Sequence, residues 1–151
     1  MDKEAAKKEI KTIEERLLVF EERLLVLKNI VEAPQKVTDR VKTFSDACRE
    51  LGINPTQITN NTLDTKDEIA YKKLKIIVRA LNEGWKPDYN NNNEYKYEPC
   101  FKMTRDGFSY AYYYYWHTDS SVGSLLVLKS AELAKYAGTQ FLEEYKEHHN
   151  P

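Results

Sequence analysis

Tyr95-Lys96-Tyr97-Glu98-Pro99-Cys100-Phe101-Lys102-Met103-Thr104-Arg105-Asp106-Gly107-Phe108 is the stretch on which the fold turns. Tyr95, Tyr97, Phe101 and Met103 alternate with Lys96, Glu98, Cys100 and Lys102, the period of two that marks a strand with one wet face. Asp106-Gly107 is a hairpin signal, so the run from Phe108 to His117 is expected to return as a second, antiparallel strand. Ser124 to Lys129 reads as a third. Beyond it Ser130 is placed to cap a helix over about Ala131 to His148. Its Ala134, Ala137, Phe141 and Tyr145 can lie on the sheet, with Gly138 allowing a close backbone approach.

Upstream of this sheet the sequence turns helical. Thr65 and Glu68 form a capping box, and Ile69, Ala70, Leu74, Ile77, Val78 and Leu81 give a helix over about 66–82 with one buried face. Lys72, Lys73, Lys75 and Arg79 are then its solvated side. Thr43 and Asp46 cap a shorter helix whose Phe44, Ala47, Cys48 and Leu51 share a face before Gly52. Asn54 to Leu63, rich in Asn and Thr, reads as loop. A helix lying on a small antiparallel sheet beside two other helices makes an α+β body.

The chain opens differently. Glu14-Glu15-Arg16-Leu17-Leu18-Val19-Phe20 is repeated almost unchanged as Glu21-Glu22-Arg23-Leu24-Leu25-Val26-Leu27. With Ile10 as position a, the a and d sites are Ile10, Ile13, Leu17, Phe20, Leu24, Leu27 and Val31, an unbroken apolar seam of coiled-coil type. Leu18, Val19, Leu25 and Val26 widen the apolar surface beyond that seam. Pro34 is expected to end this helix, because the residue before a proline disfavours the helical region. The division is therefore a heptad helix over 1–33 and an α+β domain over 34–151. In a parallel pair the flanking contacts would be Glu9 with Glu14, Arg16 with Glu21 and Arg23 with Lys28, of which only the middle one attracts. Antiparallel pairing, a larger bundle, a different partner, or folding back on the chain's own body all stay open.

Composition restricts the function classes. The 151 residues carry 23 basic and 24 acidic side chains, a net charge of −1 that gives no general support to nucleic-acid or membrane binding. Cys48 and Cys100 lack the spacing of a redox or metal motif and are expected to be reduced. No apolar run reaches the eighteen or so residues of a membrane span, and no secretory leader is expected.

The most suggestive run is Tyr110-Ala111-Tyr112-Tyr113-Tyr114-Tyr115-Trp116. On a regular strand Tyr110, Tyr112, Tyr114 and Trp116 share one face, and Tyr113, Tyr115 and His117 the other. One face is core; the other is a protein interface or a stacking platform for bases or sugars. Lys102 and Arg105 would supply the rim of such a surface. Between Trp85 and Ser130, however, Lys86, Lys96, Lys102, Arg105 and Lys129 are matched by Asp88, Glu94, Glu98, Asp106 and Asp119. Single-strand binders need a positive groove, and charge does not provide one.

Other chemistry fails on spacing. Asp88, Asn90, Asn92 and Glu94 follow the alternating oxygens of a calcium loop, but Asn93 stands where glycine belongs and Pro99 where the bidentate glutamate belongs. His117, Asp119, Ser120 and Ser121 supply triad residue types without a nucleophile elbow. His148-His149 has no ligand partners nearby in sequence. No catalytic, metal or cofactor residue is assigned, and the chain is read as a non-enzyme.

Several strings carry a resemblance: Lys42-Thr43-Phe44-Ser45-Asp46-Ala47-Cys48 with Leu51-Gly52-Ile53, Ala80-Leu81-Asn82-Glu83-Gly84-Trp85-Lys86-Pro87-Asp88, Val122-Gly123-Ser124, Lys129-Ser130, Ala137-Gly138 and Gln140-Phe141. Together they resemble uncharacterised proteins of gut Bacteroidota and their phages, over roughly Val37 to His148. That family has no established activity. The resemblance implies a phage or mobile-element setting: a virion component, or a protein acting in the cytoplasm of the bacterial host. The partners to expect are another copy of the chain or a second phage protein, with nucleic acid as the alternative.

Overall fold

The computed structural model describes residues 2–32, 35–119 and 124–149. The chain divides into two units, Met1–Gln35 and Lys36–Pro151. The first is a single helix, α1 (Lys3–Glu32). Its thirty residues span about 45 Å at 1.5 Å per residue. Pro34, the expected stop, lies outside the described residues.

The second unit is α+β. Four helices come first: α2 (Val37–Arg40), α3 (Phe44–Glu50), α4 (Thr56–Thr59) and α5 (Lys66–Leu81). A hairpin of β1 (Lys96–Thr104) and β2 (Gly107–Trp116) follows, then a 3-10 turn at Ser124–Leu126, and finally α6 (Ala131–Gln140) and α7 (Leu142–His149). The start of α3 is a complete capping box: Thr43 Oγ1 accepts from the Asp46 N–H at 3.1 Å, and the Asp46 carboxylate accepts from the Thr43 N–H at 2.9 Å. At α5 the Glu68 carboxylate reaches back to the Thr65 N–H at 2.8 Å. The helix α4 falls inside the stretch read as loop. Asn54 starts it by accepting from the Thr56 N–H, a short side-chain turn rather than a hydrophobic period, so no apolar pattern announces it.

The core is built around α5. Leu74, Ile77 and Leu81 are fully buried, each stabilising the fold by about 1.5–3 kcal/mol relative to exposure. The helix packs on α3 and α7, while α6 packs on both strands. That division explains why the expected single C-terminal helix is two. Phe141 leaves the helical region (φ −109°, ψ 35°), and the chain turns there from the sheet toward α5. The buried Phe141 ring occupies the corner, 6.2 Å from Tyr136. Nothing breaks the apolar period at this point, so sequence pattern runs straight through it.

The hairpin turns at Arg105-Asp106, and Gly107 takes φ 121°, a conformation that glycine adopts without strain. Its sheet has two strands, not three. The segment expected as a third strand begins as a 3-10 turn and makes one antiparallel bridge, Leu128 to Tyr97, with N···O distances of 3.0 and 2.7 Å. A side chain holds the opposite edge of the segment. The Asn82 carboxamide donates to the Val127 carbonyl (2.9 Å) and accepts from the Lys129 N–H (3.0 Å), holding the outer edge of the segment as a neighbouring strand would.

Candidate functional site

Helix α1 shows what the heptad residues are left to do. Ile10, Ile13, Leu17, Phe20, Leu24, Leu27 and Val31 are between 52% and 83% exposed. Leu18, Val19, Leu25 and Val26 are also exposed. A contiguous apolar strip of this length far exceeds the scattered hydrophobics of an ordinary monomer surface. Burying a leucine or isoleucine fully stabilises by about 1.5–3 kcal/mol, whereas association costs on the order of 4–15 kcal/mol. Seven seam positions per chain are enough to overcome that cost.

The second surface is the tyrosine ribbon, and its geometry departs from a regular strand. Cys100 pairs with Tyr112 and Phe101 with Tyr110, leaving Ala111 as the extra residue of a β-bulge. The bulge moves Tyr110 to the face of Tyr113 and Tyr115, away from Tyr112, Tyr114 and Trp116 with which simple alternation had placed it. Tyr110 is thereby directed at α6: a β-carbon added to Gly138 would meet Tyr110 Cδ2 at 2.5 Å and Pro99 Cβ at 2.7 Å. Burial pushes the Tyr110 hydroxyl pKa up. Gly138 does provide the close approach that its place in the helix suggests.

On the same face Tyr95, Tyr97, Tyr113, Tyr115 and His117 form one cluster. Tyr95 lies 4.5 Å from the His117 ring and 5.0 Å, edge-on, from Tyr115; Tyr97 lies 5.9 Å from Tyr113. These are favourable edge-to-face or tilted pairings, and Tyr113 and Tyr115 remain exposed. His117 Nδ1 also lies 2.6 Å from the Asn92 carbonyl, which attaches the end of β2 to the loop before β1. The expected cations are not brought to this cluster. Lys102 pairs with Ser109 on the opposite face, and Arg105 is in the turn. From the Tyr97 and Pro99 rows to that of Lys102 is roughly 10–17 Å at 3.3 Å per residue.

Lys96 and Glu98 correct the expected wet face of β1, since they are only 0% and 4% exposed. Lys96 Nζ donates to the carbonyls of Asp88 (2.5 Å), Asn91 (3.2 Å) and Glu94 (2.9 Å), and the Glu94 carboxylate stands 3.2 Å away. The Tyr89 ring covers it at 5.4 Å. The asparagine-rich loop with calcium-like spacing is thus wrapped around the chain's own ammonium group. Backbone carbonyls rather than the alternating side chains do the holding, which residue spacing could not reveal. Glu98 accepts from the Trp116 indole N–H at 2.7 Å.

The two C-terminal histidines lie against aromatic rings. His148 stacks on Tyr71 at 5.2 Å, and His149 sits 5.7 and 6.1 Å from Phe101 and Phe108. Among the described residues no group of His, Cys, Asp and Glu is arranged to hold a metal ion, and no helix is long and apolar enough to cross a membrane. Cys48 and Cys100 are both free thiols, raised in pKa by burial. Ser120 and Ser121 lie outside the described residues, as do Val122 and Gly123. Comparison with protein-family models, curated proteins and solved structures found no match for this chain.

Proposed function

We propose that this chain is a non-enzymatic structural or interaction protein of a phage or related mobile element, and that it assembles through α1. The exposed seam from Ile10 to Val31 carries the reading, because a contiguous apolar strip of that length marks an interaction surface. The α+β body then presents the aromatic face of Tyr95, Tyr113, Tyr115 and His117 as a second contact surface, by the chemistry that enriches tyrosine at protein interfaces. The phage setting rests on the resemblance of the strings between Val37 and His148, and places the protein in the bacterial cytoplasm or, as an accessory component, in the virion.

The test is absolute mass in solution, by light scattering after size exclusion, for the full chain and for its Leu17→Glu/Leu24→Glu variant. The full chain is expected to be oligomeric and the variant to fall to a single chain of 17.7 kDa with its circular dichroism otherwise retained. A variant that keeps the native mass removes the proposal.

The alternative, single-strand nucleic-acid binding, is favoured only by the exposure of Tyr113 and Tyr115 and weakened by the distance of Lys102 and Arg105 from them. Fluorescence anisotropy with a labelled oligonucleotide decides it: absence of salt-dependent binding at micromolar protein eliminates this reading.

A further inference from the structure

A cleft of about 710 Å³ opens along α5 and the loop that follows it, separate from both surfaces described above. Ile76, Trp85, Pro87 and Leu125 provide apolar lining, and Leu125 is exposed. Lys75, Arg79 and Lys86 line the same cleft, and among the described residues no aspartate or glutamate does. Volume and composition are those of a small-molecule site, typically about 300–1,000 Å³ with few polar groups among apolar ones.

Charge identifies the occupant. Lys75 and Arg79 are four residues apart on α5, on one face, where like charges repel. Some cations of the body are matched by carboxylates, as Lys72 with Asp64, Lys96 with Glu94, and Arg40 and Lys129 with Glu83, whereas Lys75 has the Tyr71 ring beneath it at 5.0 Å. Among the described residues no carboxylate pairs with Lys75, Arg79 or Lys86. Of the loop's two carboxylates, Asp88 accepts from the Asn90 N–H (2.9 Å), and Glu94 is engaged by the Trp85 indole N–H (3.3 Å), the Asp88 N–H (2.8 Å) and Lys96 (3.2 Å). Those bonds fix the indole as a wall and hold the Glu94 pKa below the usual range, the Asp88 backbone bond being the largest cause. The site is therefore apolar, preorganised and positively charged.

We propose that this cleft binds a small amphipathic organic anion, its apolar body against Trp85 and Leu125 and its anionic head beside Lys75 and Arg79. Such binding would give the protein a ligand-dependent property independent of assembly through α1.

The chain has two tryptophans, Trp85 and Trp116, so the full-length 15N-labelled protein gives two indole N–H signals, assigned by the loss of one in Trp116→Phe. The probe is 8-anilinonaphthalene-1-sulfonate, compared with uncharged N-phenyl-1-naphthylamine. A saturable shift of the Trp85 signal with the sulfonate, and a roughly tenfold weaker one with the uncharged probe or in Lys75→Gln/Arg79→Gln, is the expected result. Dye adsorbed on α1 leaves Trp85 unmoved and so counts against the proposal. Equal binding of the two probes, or undiminished binding in the double variant, overturns it. If the variant disturbs the Trp116 signal in the absence of probe, Lys86→Gln is read by the same criteria.

Discussion

The α-carbon of Gly138 lies so close to Tyr110 that a β-carbon there would come within 2.5 Å of the ring atom Cδ2. Helix α6 and the hairpin are in contact at a point where only hydrogen fits. In an isolated helix, glycine to alanine stabilises by about 1 kcal/mol. Here the clash, with Pro99 as well as Tyr110, should reverse the sign. Gly138→Ala is expected to destabilise by about 1–3 kcal/mol, the range of overpacked cores, as a lower urea midpoint with unchanged slope.

Lys96→Met keeps most of the side-chain volume and removes the ammonium group. The carbonyls of Asp88, Asn91 and Glu94 then lose their common donor. A loss of about 3–5 kcal/mol is expected, as for breaking one side of a buried charge network. Hydrogen exchange of the amides from Asp88 to Glu94 should accelerate before global unfolding; unchanged exchange there would show that the loop does not depend on Lys96.

Asn82→Ala leaves the Val127 carbonyl and the Lys129 N–H without their side-chain partner. Buried groups stripped of a partner cost about 1–3 kcal/mol each. With two such groups, denaturant unfolding should show a drop of about 2–6 kcal/mol, and Asn82→Asp, which cannot donate to Val127 at neutral pH, should not restore it in full.

Glu83 accepts from Lys129 (2.8 Å) and Arg40 (2.9 Å), and these bonds, Lys129 first, hold its carboxyl below the ordinary value of 4.5. A carboxyl lowered in the folded state stabilises above its unfolded pKa and loses that contribution as pH falls through the folded one. The stability gap between the parent and Glu83→Gln should therefore be widest near neutrality and close below about pH 4.5. A gap independent of pH would mean that the charge of Glu83 plays no part.

Much of this architecture could be read from residue order. The long N-terminal helix, the capping residues Thr43, Asp46 and Ser130, the turn at Asp106-Gly107 and the tight fit at Gly138 are local or periodic signals, and each appears where its signal lies. The errors arise where a particular side chain's bonding, rather than an apolar period, sets the structure, as with the Asn54 turn that starts α4. Leu128 pairs with Tyr97 at one residue, and the other edge of its segment is held by Asn82, far back in the chain. Lys96 looks like a surface lysine until the loop before it closes over its ammonium. Of the cleft, only Lys75 and Arg79 were legible, as part of a solvated helix side, since the opposite wall comes from Trp85 and Leu125.

Four consecutive tyrosines, Tyr112 to Tyr115, carry almost no information about which of them should meet which partner. Slid by one residue, the tract presents the same side chains, so its alignment must be written elsewhere. The surplus residue at Ala111 writes it: only with Ala111 looped out does Tyr110 stand over Gly138 while Trp116 still reaches Glu98. Ala111 is the least conspicuous member of the aromatic run, and it acts as the index mark by which the others are counted.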